Sequence, residues 1–438
     1  MSKRAWLFGS NPTYERWRWQ IFAITWLAYA GLYLTRKSFS VAKIGIGEGT
    51  AIGLTQSQLA WIDGAFLVAY AIGQFLCGMA GDRFGTRKVL LIGMFVSVVT
   101  AIAMGLSSLA VIFGVLFFIQ GFAQSTGWAP LSKNIGTFFS REERGTVMGL
   151  WSTNYAFGGL VASIIAGYFG QRFGWRYAFL VPAAMLSMVW VLFLLLQINR
   201  PEDVGLPPIE VYHGEQPPAA DSDTVAVEEK HDSWKVILEV LANPMVLLLG
   251  AVYFCFKPAR YAILFWGPKY INDKLGTGMA ESGFISAMFE LAGPFSVILA
   301  GLVSDKIFGA RRMPVSIICL LLLGVLLCFL DDLPSTRWML AGSLFLIGLL
   351  TYAPDSLISG TAAVDFGTKK GAATASGLIN GCGSIGAIVG GTIPGFFQER
   401  WGWHGVFNLL AAAAVLAALL LLPKWNALPS PAEKKAPR

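Results

Sequence analysis

The chain has 438 residues, of which 55% are apolar and only 13% are charged. Soluble globular chains carry about 25% charged residues, so this composition excludes an ordinary soluble domain. The net charge of +7 at pH 7 is typical of a membrane protein with basic cytoplasmic loops and does not indicate nucleic-acid binding.

Apolar runs of about 20 residues or more, the length that a helix needs to cross a bilayer, recur along the chain. They predict an all-α membrane protein with twelve transmembrane helices. The predicted spans lie at about 19–44, 57–81, 88–107, 110–138, 145–170, 175–197, 243–271, 281–304, 313–331, 337–365, 372–398 and 403–422. Most of the basic residues fall in the N-terminus, the even-to-odd loops and the C-terminus, which predicts that both termini are cytoplasmic.

Span 1 contains a basic pair, Arg36 and Lys37, about 17 residues from its start. A guanidinium at this depth costs about 2.5 to 3.5 kcal/mol, and such residues usually face a cavity and serve a function. Tyr29 and Tyr33 precede Arg36 by seven and three residues and share its helix face. The alternative is that these cations, Lys37 more readily than Arg36, reach the outer interface.

The loop after span 2 has the pattern Gly-x-x-x-Asp82-Arg83 followed by a basic cluster, and it recurs after span 8 as Gly-x-x-x-Asp305-Lys306. This pattern resembles the signature loop of the major facilitator superfamily. We expect Asp82, Arg83, Asp305 and Lys306 to form gating latches; the alternative is a solvated basic turn.

A second repeat agrees with the first, because residues 167–175 are echoed by residues 395–403. Between the two halves lies the only long connection, which is rich in proline and acidic residues. We therefore predict an N-terminal six-helix bundle at 1–197, a cytoplasmic linker at 198–242, and a pseudo-symmetric C-terminal bundle with a short cytoplasmic tail at 243–438.

Span 7 also carries buried charge, since Lys257 and Arg260 lie about 15 residues in, flanking Pro258. Spans 1 and 7 are equivalent in the two halves, so we expect Arg36 and Arg260 to face one cavity. Two guanidiniums repel each other unless an anion bridges them, and a phosphate group offers oxygens to which the planar N–H donors of both guanidiniums can bind. A phosphorylated substrate is the interpretation that follows.

Carboxylates inside the spans include Asp63, Glu290 and Asp355, with Asp365 near a span end. Each is costly unless paired. We expect Asp355 or Glu290 to neutralise Lys257 or Arg260 when the site is empty. For Asp63 two possibilities stay open, a functional carboxylate and a structural hydrogen-bond partner.

Beyond the signature loop, nearly the whole chain resembles the organophosphate:phosphate antiporter family, which includes glycerol-3-phosphate and hexose-phosphate transporters. The matching motifs are Trp-Arg-Trp-Gln-Ile-Phe at 17–22, Tyr33-Leu-Thr-Arg-Lys, Tyr70-Ala-Ile-Gly-Gln-Phe, Gly127-Trp-Ala-Pro, Gly149-Leu-Trp, Arg260-Tyr-Ala-Ile-Leu-Phe-Trp, Glu290-Leu-Ala-Gly, Ser304-Asp-Lys and Tyr352-Ala-Pro. The resemblance implies that Arg36 and Arg260 are the phosphate-binding pair.

The same resemblance implies that Tyr29, Tyr33, Tyr70 and Tyr352 line the cavity. Tyr155 stands where glycerol-3-phosphate transporters have a histidine, Gln74 where they have a lysine, and Lys257 where they have a tyrosine. Positive charge has thus moved between the halves, which leaves the organic part of the substrate open.

We expect a secondary transporter that exchanges a small phosphorylated metabolite for inorganic phosphate by alternating access. Two alternatives remain, a transporter-like sugar-phosphate sensor and a proton-coupled carrier of an uncharged solute.

We expect no enzyme activity, since no nucleophile–base pair or metal motif occurs. The five cysteines lie in apolar segments without metal-ligand spacing, so no metal or cofactor is expected. We also expect a monomer. The short outer loops and the absence of Asn-x-Ser/Thr sequons favour a bacterial inner membrane.

Overall fold

The computed structural model describes residues 11–140, 143–212, 242–309, 311–333, 336–358 and 372–427. Its secondary structure is helical. The helices are α1 (Pro12–Ile46), α2 (Gln56–Phe84), α3 (Thr86–Leu106), α4 (Ala110–Gln124), α5 (Trp128–Phe138), α6 (Arg144–Trp151), α7 (Thr153–Phe173), α8 (Tyr177–Leu196), α9 (Pro244–Leu275), α10 (Met279–Lys306), α11 (Arg312–Phe329), α12 (Arg337–Ser356) and α13 (Ala372–Leu421).

Within the described residues, eight helices are long and apolar enough to cross a membrane by length and composition alone. The last of them, Gly377–Lys424, covers two predicted spans that meet at a kink at Gly402. Helices α1, α2 and α7 account for the remaining predicted spans. Helix α1 falls outside the eight because it carries basic residues within its apolar stretch, and α7 because it is rich in small and polar residues.

Two predicted spans are divided in the structure. Span 4 consists of α4 and α5, which are separated by a turn before Trp128, and span 5 consists of α6 and α7, which meet at Ser152. Ser and Gly at the first break favour turns over a continuous helix. Helix α12 ends at Ser356, and the predicted end of span 10, at Asp365, lies outside the described residues.

Local sequence explains how the first two helices begin. Asn11 caps α1, since its side chain accepts hydrogen bonds from the amides of Thr13 and Tyr14. Thr55 and Gln58 form a capping box at the start of α2. These caps satisfy amides that would otherwise have no partner at the helix ends.

Each of the two signature loops contains a glycine with a positive φ. Gly85 and Gly309 adopt φ values of +83° and +59°, a region that side chains with a Cβ rarely enter. The amide of Arg87 then donates to Asn199 Oδ1 at 2.9 Å, and the guanidinium of Arg311 donates to Asn426 Oδ1 at 3.2 Å. Each loop is therefore bonded to the segment that follows the last helix of its half.

Glycines of α7 and α13 pack against the first helix of their own half. A Cβ at Gly158 of α7 would lie 2.6 Å from the carbonyl oxygen of Ala30 in α1. A Cβ at Gly386 of α13 would lie 2.4 Å from the carbonyl oxygen of Phe254 in α9. Because larger residues cannot fit there, glycine permits close contact with the helices that carry Arg36 and Arg260.

The described residues divide into two compact units. The first holds the chain before residue 221 together with Ile271–Ala287, and the second holds the chain from residue 242 to Tyr270 and from Met288 onwards. The predicted boundaries at 197 and 243 stay predictions.

Residues 198–212 of the predicted linker belong to the first unit and are bonded to its helices. The Asn134 side chain donates to the carbonyl oxygen of Asn199 at 2.8 Å, and the Tyr14 hydroxyl donates to that of Pro207 at 3.0 Å. Tyr14 and Tyr212 stack with their ring centroids 4.0 Å apart. The remainder of the linker, residues 213–241, lies outside the described residues.

Candidate functional site

Arg36 lies in α1 of the first unit and is 5% exposed. Its Nε donates a hydrogen bond to Gln124 Oε1 on α4 at 2.8 Å, and the Gln124 amide donates back to α1. The guanidinium carbon lies 4.4 Å from the ring centroid of Tyr33 and 4.7 Å from that of Tyr70 on α2. Aromatic faces attract cations, so three helices fix this guanidinium inside the protein. This burial argues against the alternative in which Arg36 reaches the outer interface.

Tyr29 extends this aromatic environment along α1. Its ring centroid lies 5.9 Å from that of Tyr33 and 5.3 Å from that of Trp128. Tyr155 of α7 is partly buried and packs against the hydrophobic cluster that contains both tyrosines. We define the Arg36 cluster as Tyr29, Tyr33, Arg36, Tyr70 and Gln124.

The corresponding cation in the second unit has a carboxylate partner. Arg260 Nη1 of α9 lies 2.5 Å from Asp355 Oδ2 of α12, and Lys257 Nζ lies 3.1 Å from Asp355 Oδ1. The Tyr253 hydroxyl donates to Asp355 Oδ1 at 2.7 Å and accepts from Lys257 Nζ at 2.5 Å. The Arg260 guanidinium carbon lies 4.6 Å from the ring centroid of Tyr352. We define these five residues as the Arg260 cluster.

Two carboxylates were expected to neutralise these cations, and the structure gives them different partners. Asp355 contacts both Lys257 and Arg260. Glu290 of α10 accepts a hydrogen bond from the Tyr352 hydroxyl at 2.5 Å, and the Tyr352 ring lies beside Arg260. Asp355 therefore neutralises the cations directly, while Glu290 fixes the aromatic ring that one of them contacts.

Asp63, for which a functional and a structural role both stayed open, forms an ion pair with Lys43. Both side chains are fully buried, one near the end of α1 and one near the start of α2. A buried charge is stable only when it is paired, so the pairing explains why both residues are tolerated here. This supports the structural interpretation of Asp63.

Sequence reasoning missed three residues of these networks, Gln124, Lys43 and Tyr253. A signal existed for Tyr253, because one offset of 224 residues relates Tyr29 to Tyr253, Tyr33 to Lys257 and Arg36 to Arg260. Gln124 offered a weaker signal as a polar residue in an apolar run, which usually faces the bundle interior.

The proposed gating residues are described only in part. Arg83 and Lys306 are exposed at the ends of α2 and α10, and the Arg83 guanidinium carbon lies 5.3 Å from the ring centroid of Phe84. The side chains of Asp82 and Asp305 lie outside the part of the chain that the structure describes. The latch role of these four residues stays a prediction. No group of three or more His, Cys, Asp or Glu side chains among the described residues could hold a metal ion.

Comparison with known proteins identifies the class of protein first. The sequence model of the Major Facilitator Superfamily matches residues 25–391. The fold is similar to that of a solved bacterial homologue of the human lysosomal transporter Spinster, with a TM-score of 0.70 and 15% identity over 95% of this chain and 96% of that one. The chain is thus an integral, multi-pass membrane protein with the fold of this superfamily.

Curated relatives then narrow the class. A probable hexose phosphate transport protein of Chlamydia pneumoniae is 31% identical over 97% of this chain and 94% of its own length. The glycerol-3-phosphate transporter of Bacillus subtilis (strain 168) is 31% identical over 95% and 94%. The membrane sensor protein UhpC of Escherichia coli (strain K12) is 31% identical over 95% and 94%. The chain belongs to the organophosphate:phosphate antiporter family of the major facilitator superfamily, and it is not an enzyme.

Proposed function

We propose that the protein transports a small phosphorylated metabolite of the glycerol-3-phosphate or sugar-phosphate class in exchange for inorganic phosphate, by alternating access. The relatives named as hexose phosphate and glycerol-3-phosphate transporters support this substrate class. The exchange partner is an inference from the antiporter family and from the charge of the two clusters.

One observation carries the proposal: each unit holds a buried arginine against aromatic rings, at positions related by the same 224-residue offset. Buried guanidiniums are costly, and their planar donor sets match the oxygens of a phosphate group. We propose that Arg36 and Arg260 both bind the phosphate group, assisted by Lys257. The other proposed substrate-binding residues are Tyr29, Tyr33, Tyr70, Tyr155 and Tyr352. Asp355 belongs to the same proposed site as the carboxylate that pairs with its cations.

The remaining features of the proposal concern the conformational cycle and the setting. Asp82, Arg83, Asp305 and Lys306 act as latches in the two signature loops, each of which contains a glycine with a positive φ. The protein works as a monomer in a bacterial inner membrane. Both termini are cytoplasmic in this proposal, as the distribution of the basic residues predicts.

A sensor is the second candidate, because a membrane sensor protein is as similar in sequence as the transporters are. A proton-coupled carrier of an uncharged solute has less support, since Asp63 is paired with Lys43.

Counterflow in proteoliposomes tests the proposal. Vesicles loaded with labelled phosphate should release it when glycerol-3-phosphate or a hexose phosphate is added outside, and should retain it in buffer alone. A sensor would bind phosphate compounds without appreciable flux. A carrier of an uncharged solute would neither bind phosphate nor release it.

A further inference from the structure

Asp355 accepts three hydrogen bonds from donors on α9 within the Arg260 cluster. Its Oδ1 accepts from Tyr253 at 2.7 Å and from Lys257 at 3.1 Å, and its Oδ2 accepts from Arg260 at 2.5 Å. All three charged side chains are at least nine-tenths buried. The carboxylate thus joins two cations that lie three residues apart on one helix.

These donors are the ones that would recognise a phosphate group. A carboxylate and a phosphate both present anionic oxygens, and guanidinium, ammonium and phenol groups donate to either. Lys257 and Arg260 repel each other at this spacing, so one anion or the other must be close to them. Asp355 therefore occupies the place of an anionic ligand on the two cations.

We propose that Asp355 is an intramolecular counter-ion that the phosphate group must displace from Lys257 and Arg260, an inference that rests on the proposed function. Because the bound anion replaces an existing ion pair, part of its interaction energy is spent on breaking that pair. Asp355 thereby weakens phosphate binding and speeds phosphate release, which an exchanger needs in each turnover.

A different role for Asp355 predicts the opposite effect. If the carboxylate stays in place and merely orients the two cations toward the substrate, its removal would leave them misplaced and would weaken binding. The sign of the change in phosphate affinity on removal of the carboxylate therefore separates the two roles.

The test is calorimetric titration of inorganic phosphate into the purified full-length protein. Asp355→Asn should bind phosphate about tenfold more tightly than the unsubstituted protein. If Asp355→Asn fails to fold, the double variant Lys257→Gln/Asp355→Asn provides the test. In this variant Arg260 alone supplies a net charge of +1, which is the net charge of the three residues together in the unsubstituted protein. This double variant should bind phosphate more tightly than Lys257→Gln, in which Asp355 still pairs with Arg260.

Glu290→Gln is the matched control, because it removes another buried carboxylate of the second unit, one that accepts from Tyr352. It should not tighten phosphate binding. Unchanged or weaker binding in Asp355→Asn or in the double variant, or equal tightening in Glu290→Gln, overturns the inference while leaving the proposed function intact. A complete lack of phosphate binding by the unsubstituted protein overturns the proposed function itself.

Discussion

The Arg36 cluster and the Arg260 cluster occupy related positions in the two halves, but their cations are stabilised differently. Arg36 is held by a neutral amide and by two phenol rings. Arg260 shares a carboxylate with Lys257 and contacts the phenol ring of Tyr352.

The difference shows that duplication preserved the position of the guanidinium and not its source of neutralisation. Tyr33 of the first half corresponds to Lys257 of the second, and this added cation is accompanied by the Asp355 carboxylate. The first half therefore offers a guanidinium held by neutral groups, whereas the second offers two cations that an internal anion already compensates.

The largest expected effect concerns the Lys43–Asp63 pair, where one cation has a dedicated, fully buried carboxylate partner. Asp63→Asn should lower the free energy of unfolding by about 3 to 5 kcal/mol, because it leaves a buried ammonium without its counter-charge. Replacing both residues, in Lys43→Met/Asp63→Leu, should be close to neutral. Thermal unfolding in detergent measures both, and a stable Asp63→Asn variant would contradict the structural role of the pair.

Arg36→Lys should reduce phosphate affinity by about ten- to a hundredfold, the equivalent of about 1.5 to 3 kcal/mol. An ammonium retains the charge but lacks the planar donor set that a guanidinium offers. Arg260→Lys should cost less, since Lys257 lies beside it and contacts the same carboxylate. Calorimetric titration of phosphate into both variants measures the difference, and a larger loss in Arg260→Lys would reverse the comparison of the two clusters.

Gln124→Leu should weaken phosphate binding by about fivefold, because the lost hydrogen bond to Arg36 Nε is worth about 1 kcal/mol and fixes the plane of the guanidinium. Gln120→Leu is the matched control, since Gln120 is also buried on α4 but accepts from Thr100. Equal losses in the two variants would show that α4 packing, and not the orientation of Arg36, determines affinity.

Lys37→Ala should have the smallest effect, below about threefold in phosphate affinity. Lys37 is buried, but it is rotated by about 100° from Arg36 on the helix and cannot face the same point. A loss as large as that of Arg36→Lys, measured by the same titration, would assign Lys37 to the phosphate site.

Sequence could predict the two arginines because charge inside an apolar run is a local signal. Their partners were harder to predict. The bonds from Arg36 to Gln124 and from Lys43 to Asp63 join different helices, so no periodicity within one helix reveals them. For Asp355 the sequence indicated a neutralising role but not that one carboxylate would contact both cations.

For the helical spans, too, features that are strong within one stretch of sequence were easier to predict than weak ones. Most could be predicted from hydropathy, whereas the turn between α4 and α5 depends on the short stretch Ser125–Gly127 inside an otherwise apolar run. Hydropathy averages over that stretch and cannot detect it.

The central claim is that Arg36 and Arg260 bind the same phosphate group, and a double-mutant cycle tests it most directly. Phosphate titration of Arg36→Lys, Arg260→Lys and the double variant should show effects that do not add, because the anion relies on Lys257 and the remaining contacts once either guanidinium is gone. The double variant should be little worse than Arg36→Lys. Near-unchanged phosphate affinity in both single variants, or losses that simply add in the double one, would contradict a phosphate group shared by the two arginines.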